Sequence, residues 1–435
     1  LGLDQSDSSR SFPLNLNAVS PLINGTVQGF EGFQGLLLGE GNDRVTGHQT
    51  AFVNDTLDTG AGNDVITLWN HAEHDSVTAG TGTDRLVAYL QTGLSTMSLT
   101  AEAEGGYGGY LGTGYTGEGV YFAGVENFTL VDLYGANNRL TTGAGDDYLD
   151  GGAGNDTLDA GSGADTINGG AGDDYFFADY SALGAGVRID LSTVSSVAGG
   201  TLRNLEGFGT VTGTAYADVM RGLAGVHLAD VIDAGAGNDT VAVWNAGERD
   251  AITGGAGDDL LIVTTDTRLS LYGISPNAAG GYDGHLGTGY SGEGVYFSGI
   301  ERFDITDASG TDSNWHTGDG ADRLDGGIGN DTLQAGDGAD TLIGGDGNDL
   351  LVGGDTAADG ADQVSGGTGD DSIWGGAGND VLRGDDGNDR IDGADGADTI
   401  YGGTGADTIQ GGSTEADLRD VIYGGDGNDS IDGGY

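Results

Sequence analysis

The 435-residue sequence has no cysteine, three prolines and only fourteen lysines and arginines together. Without cysteine there are no disulfides and no thiolate metal sites, which fits an extracellular protein stapled by something other than sulfur. Collagen is excluded because proline is so scarce and the glycine period is not three. The scattered basic residues form no patch that could track a phosphate backbone, so nucleic-acid binding is excluded and an anionic membrane would repel the chain. No apolar run approaches the roughly 18 residues that span a bilayer, and no basic, apolar, small-residue leader opens the chain. It therefore reads as soluble, with no membrane insertion. What it has instead is 91 glycines and a net charge of −55. Of its 69 acidic residues, 57 are aspartate, the short carboxylate that suits tight turns and hard-cation sites. Cations are the expected partners.

Two periods are nested in the chain. Residues 142–177 divide without gaps into TGAGDDYLD, GGAGNDTLD, AGSGADTIN and GGAGDDYFF, a period of nine. From 317 to 432 twelve more units follow, ten of nine residues and two of thirteen, the latter at 353–365 and 411–423. Both long units keep Asp362 and Asp420 in phase, so their four extra residues are expected to bulge from a loop and leave the strands intact. The longer period is 175 residues. Asp64, Trp69, Asp84 and Gly112 fall on Asp239, Trp244, Asp259 and Gly287, and GTGYTGEGVYF at 112–122 falls on GTGYSGEGVYF at 287–297. This is a tandem duplication, which gives a first unit at 1–187, a second at 188–352 and a continuing array at 353–435. Leu1 and Tyr435 both fall inside repeats, so the sequence is expected to be part of a longer protein.

In the pattern GGxGxDxUx the first six positions read as a turn and the last three as a short strand, with the apolar residue U pointing inward. Such residues include Leu324, Leu333, Leu342, Leu351, Ile373, Leu382, Ile391, Ile400, Ile409 and Ile431. Two units make one coil. Coils stacked roughly 4.8 Å apart give parallel ladders around a thin aliphatic core, an all-β parallel roll or solenoid. Stacking sets Asp156 near Asp174 on one edge and Asp147 near Asp165 on the other. Such carboxylate columns repel unless a hard cation sits between turns and takes carboxylate and carbonyl oxygens, the preference of Ca2+.

Units such as GGAGNDTLD at 151–159, GGIGNDTLQ at 326–334 and GGAGNDVLR at 375–383 resemble the RTX, or haemolysin-type calcium-binding, repeats, whose consensus is a known example of a β-helix repeat. The resemblance implies a parallel β-roll, export by a type I route and folding outside the cell on meeting calcium. It assigns the ligand aspartate of the motif to Asp147, Asp156, Asp165, Asp174, Asp322, Asp331, Asp340, Asp349, Asp371, Asp380, Asp389, Asp398, Asp407 and Asp429. The isolated units add Asp64, Asp84, Asp239 and Asp259. Glycine carbonyls supply other ligands, and the whole chain is expected to take about 15 to 20 ions. Aspartates at the ends of an array have no stacked neighbour in the sequence and are expected to bind weakly or not at all.

Other motifs weigh less. His71 and His74 have no counterparts in the duplicated WNAGERD at 244–250, and HExxH, GxSxG, Walker and EF-hand patterns are all missing. No enzyme chemistry is expected. Acidic pairs such as Asp385 and Asp386 follow from the repeat alone. The Tyr/Gly-rich segments 105–122 and 280–297, with Tyr107, Tyr110, Tyr115, Tyr121, Tyr282, Tyr290 and Tyr296, are expected to be irregular β-rich seals between arrays; the other reading is a sugar-binding face. The leading expectation is a structural or adhesive segment, S-layer-like, matrix or adhesin, secreted to the cell surface and meeting copies of itself or surface polysaccharide. Its rival is a calcium-dependent carrier region of a secreted enzyme or toxin.

Overall fold

The computed structural model describes residues 26–27, 34–47, 54–70, 74–91, 96–103, 105–112, 118–226, 228–245, 248–278, 280–287, 293–354, 356–412 and 418–434. His71, Tyr115 and Tyr290 lie outside them. No helix occurs among the described residues. The chain forms two compact units, residues 1–180 with 188–211 and residues 181–187 with 212–435. Each is a parallel β-solenoid.

In the first unit one sheet runs from Thr26–Val27 through Arg44–Thr46, Val65–Asn70, Arg85–Leu90, Asn127–Asp132 and Tyr148–Ala153 to Thr166–Ala171 and Gly200–Arg203. The register keeps the apolar residue of each unit in one column, as in the pairs Leu130 with Leu149 and Leu149 with Ile167. Leu149, Leu158, Ile167 and Phe176 are buried, while their chain neighbours Tyr148, Asp150, Thr157 and Asp159 face outward. Alternation at period two on coils this short leaves a core one side chain deep per layer. Some strands have the expected three residues, such as Thr157–Asp159, but Tyr148–Ala153 and Thr166–Ala171 have six. They lengthen because the glycine pair also joins the ladder, with Gly152 paired to Gly170.

The second unit repeats this plan over a longer array. One column runs Leu324, Leu342, Val364, Leu382, Ile400, Ile422 and the other Leu333, Leu351, Ile373, Ile391, Ile409, Ile431. All are buried except the last layer, where Ile422 is partly exposed and Ile431 is 49% exposed because no coil of this chain lies over it. Ile431 keeps its place in the inward column, in register with Ile409. The thirteen-residue unit leaves its strand in register, Thr341 pairing with Gln363, so its extra residues do sit in a loop.

Strands recur at the 175-residue offset: Val65–Asn70 and Thr240–Asn245, Arg85–Leu90 and Leu260–Thr265, Gly119–Val125 and Gly294–Ile300. The Tyr/Gly segments are regular where described. Thr96–Ala101, Tyr107–Gly112 and Gly119–Val125 form an antiparallel meander, repeated by Ser270–Pro276, Tyr282–Gly287 and Gly294–Ile300. Glycine makes this possible, since a Cβ at Gly109 would lie 2.0 Å from the Ser98 carbonyl oxygen. The Tyr107 ring covers Gly143 and its hydroxyl accepts the Ala144 amide at 2.7 Å; Tyr282 does the same over Gly318, with the Asp319 amide at 2.8 Å. These tyrosines tie the meander to the following coil.

Candidate metal centres

Each repeat closes a turn that presents its aspartate to the next coil. In 151–159, Gly152 and Gly154 hold φ of 85° and 120°, a region that L side chains rarely enter, and this curls the backbone around Asp156. Asp156 Oδ1 then accepts the Asn138 amide at 2.7 Å, and the Asp156 amide donates to Asp174 Oδ1 at 2.7 Å. On the other edge Asp147 accepts from the Phe128 amide at 2.7 Å and donates to Asp165 Oδ1 at 2.9 Å. These aspartates form ladders in which every carboxylate grips the backbone of the coil before it.

The second unit carries two long ladders. One runs from Phe303 through Asp322, Asp340, Asp362, Asp380 and Asp398 to Asp420, the other from Ser313 through Asp331, Asp349, Asp371, Asp389 and Asp407 to Asp429. Asp64 with Asp84, and Asp239 with Asp259, are linked in the same way but 20 residues apart, in coils longer than the regular 18. All eighteen expected aspartates are thus in ladders. Asp165 is partly exposed and Asp429, in the last layer, accepts the Asp407 amide at 3.2 Å.

Only one carboxylate oxygen is used by the ladder. Oδ2 of Asp64, Asp84, Asp147, Asp156, Asp174, Asp239, Asp259, Asp322, Asp331, Asp340, Asp349, Asp371, Asp380, Asp389 and Asp407 is buried with no hydrogen-bond partner among the described residues. An orphaned buried polar group costs about 1–3 kcal/mol, more when charged, so the same defect repeated along a column calls for a ligand. At Asp156, Asp174, Asp259, Asp331, Asp349, Asp371, Asp380, Asp389 and Asp407 the Oδ2 faces space that a glycine leaves open. A Cβ at Gly151 would fall 2.3 Å from Asp156 Oδ2 and 2.6 Å from the Gly169 carbonyl oxygen of the next coil. At Gly384 the corresponding distances are 2.2 Å to Asp389 Oδ2 and 2.4 Å to the Gly402 oxygen. Carboxylate and carbonyl oxygens converge there on one cradle.

Electrostatics agrees. Burial, reinforced by repulsion from stacked carboxylates, pushes Asp84, Asp156, Asp239, Asp331 and Asp371 up to about 7, and Asp340 and Asp362 up to about 8. Burial likewise raises Asp165 and Asp322 to about 7 and Asp147, Asp380 and Asp389 to about 6. A hard divalent cation would satisfy the orphaned oxygens and cancel the repulsion. The all-oxygen donor set suits Ca2+. His74 is exposed and its amide serves only an Asn54 contact.

The ladders extend beyond the expected residues. Asp174 is not a bare end, since its amide donates to Glu206 Oε2 at 3.0 Å; Glu126 and Glu301 receive the amides of Asp84 and Asp259 at 2.7 and 2.8 Å. The expectation that array-end aspartates lack stacked neighbours is corrected on this point: a longer glutamate replaces the next aspartate where the coil changes length. The signal was present as VENF, LEGF and IERF, an apolar residue followed by Glu and, two residues on, Phe. Asp43, Asp55, Asp75, Asp218, Asp230 and Asp250 also belong to ladders. Asp55, Asp75, Asp218, Asp230 and Asp250 sit in D-x-apolar segments without the preceding pair of turn glycines, which hid them from a search by glycine, whereas Asp43 follows Gly39 and Gly41 and was open to that search.

The model of the RTX calcium-binding nonapeptide repeat (4 copies) matches residues 54–86, 134–167, 151–179, 206–241, 247–263, 316–355, 356–391, 383–413 and 419–434, more than half of the chain. The chain belongs to this RTX repeat family. It is a calcium-binding RTX β-solenoid that takes multiple ions. RTX repeats are typical of secreted proteins, and no helix among the described residues is long and apolar enough to cross a membrane. No curated protein matches the sequence. Among solved structures the chain is similar to a hyperactive, Ca2+-dependent, beta-helical antifreeze protein from an Antarctic bacterium, at 17% identity over 95% of this chain and 84% of that one, with a TM-score of 0.17. A likeness at that level adds nothing to the account of this chain.

Proposed function

We propose that the chain is the calcium-folded scaffold of a secreted protein, structural and adhesive at the cell surface rather than catalytic. The observation that carries this reading is the run of ladder aspartates, such as Asp156, Asp331, Asp349, Asp371 and Asp389, whose Oδ2 atoms are buried with no hydrogen-bond partner among the described residues. The aspartates from Asp64 and Asp84 through Asp407 and Asp429 named above serve as ligands, with Gly carbonyls of the adjoining coil completing each shell. Calcium converts a strongly repelling chain into stiff solenoid coils, and these present outward side chains at a fixed spacing to copies of the chain or to surface polysaccharide. Export by the type I route accords with a chain that stays unfolded until it meets external calcium. The tandem 175-residue layout favours a structural role, because repetition lengthens a scaffold without adding chemistry.

Sedimentation velocity and adsorption to purified envelope polysaccharide, each with calcium and with chelator, test the proposal. Calcium-dependent assembly or adsorption is expected. A calcium-folded monomer inert towards both would contradict the adhesive role and favour a carrier region for an activity located elsewhere.

A further inference from the structure

The ladders give each coil one carboxylate per edge, and the thirteen-residue repeat at 353–365 breaks that rule. Its extra residues bring Asp359 between two ladder members. Asp340, Asp359 and Asp362 each offer a carboxylate oxygen, and these lie within 4.8 Å of one another, the one such trio of acidic side chains found among the described residues. Two oxygens on one calcium ion stand at most about 5.2 Å apart, twice the longest usual bond. Asp340 and Asp362 are each 1% exposed, and their Oδ2 atoms have no partner. Asp359 is held in place through Oδ1, which accepts the amides of Gly338 at 3.1 Å and Gly360 at 2.8 Å. Its Oδ2 is left over a glycine, since a Cβ at Gly376 would fall 2.5 Å from it. Thr356 braces the loop, its amide donating to Asp337 Oδ1 at 3.1 Å.

We propose that this repeat builds a three-carboxylate site for a calcium-sized divalent cation, with Asp359 as an added ligand between Asp340 and Asp362. The site deepens the calcium reading of the repeats and rests on it. Affinity in oxygen-ligand sites is tuned by the number of charged ligands, and the loop adds one carboxylate, Asp359, that the nine-residue repeats lack. This position should fill first as calcium rises and empty last as it falls. The other thirteen-residue repeat has the same spacing in sequence at Asp417 and Asp420, with residues 413–417 outside the described ones.

The test is equilibrium dialysis of the full chain against radioactive calcium at chelator-buffered free concentrations. Asp359→Asn keeps the Oδ1 acceptor for the two amides but replaces Oδ2 with an amide group. Deleting residues 356–359 leaves GGDGADQVS, a repeat of ordinary length with Asp362 in phase, and so removes the added carboxylate by a second route if the point variant does not fold. The exposed Asp426→Asn controls for net charge. One ion per chain in the tightest class should weaken by about tenfold or more in both loop variants and in neither the control nor the parent. Superimposable isotherms for parent and loop variants would overturn the added site while leaving the repeat sites standing. A parent chain that binds no calcium would overturn both.

Discussion

At the residue scale the aspartate of each repeat has two separable duties, one per oxygen. Oδ1 of Asp371 accepts the Asp349 amide at 2.8 Å, and its buried Oδ2, without a hydrogen-bond partner among the described residues, is the atom proposed to bind calcium. Asp371→Asn keeps the first duty and removes the second. The variant should fold but need more calcium at its midpoint, by about twofold or more, whereas exposed Asp426→Asn should not shift it; equal midpoints in a titration followed by circular dichroism would contradict the assignment. A pH dependence follows from the raised carboxyls. Asp156 and Asp371 sit at about 7 against an ordinary 3.8, and Asp340 at about 8, so between these values the fold holds protons that the unfolded chain has lost. Metal-free stability must therefore be fullest below about pH 4 and fall as pH rises through about 8, while calcium affinity rises over the same interval because the ion displaces those protons. Thermal melts in metal-depleted buffers, acidic against neutral, check the sign; a metal-free fold that gains stability towards neutrality would refute it. Most of these aspartates were legible in the sequence because glycine pairs mark the turn. Glu126, Glu206 and Glu301 were marked only by the apolar-Glu-x-Phe motif, whose role emerges once a coil of irregular length places it beside the ladder.

At the element scale the strands are too short to stand alone and are held by one inward residue per layer. Burying an Ile or Leu side chain contributes about 1.5–3 kcal/mol, so the layers add up only when coils stack. Ile373 is fully buried between Leu351 and Ile391, and its neighbour Ser372 faces outward. Ile373→Asp should cost about 3–5 kcal/mol and break the array, and Ser372→Lys should cost well under 1 kcal/mol; equal losses in calcium-saturated thermal melts would show that the inward face is misassigned. The glutamates that continue the ladders make a second case. Glu206 takes the Asp174 amide, and Glu206→Ala leaves that buried donor without a partner, for an expected loss of about 1–3 kcal/mol. The inward column was readable from period-two alternation within a nine-residue repeat. The antiparallel meander at 96–125 was not, because its glycines break the alternation and its register is set by close approaches such as Gly109 to Ser98.

For the whole molecule, charge decides. At −55 the chain carries far more carboxylate repulsion than a core one side chain thick can outweigh, and ordering its backbone costs roughly 1–2 kcal/mol per residue. Calcium that binds only the folded state adds its binding free energy to folding. About 15 to 20 ions would cancel some 30 to 40 charges, and extracellular sites of this ligand type commonly bind near 10⁻⁴ to 10⁻³ M. The duplication, legible as an unbroken 175-residue offset, is matched strand by strand, but the division into compact units falls where the chain crosses between 180 and 212, which no composition change announces. Calcium dependence of the fold itself is the central claim, and a calcium titration of the metal-depleted chain at neutral pH, followed by circular dichroism and hydrodynamic radius together, tests it most directly. The account predicts an expanded, largely disordered chain in chelator that turns compact and β-rich as calcium is added. A β signature and compact radius that persist unchanged in excess chelator would contradict it.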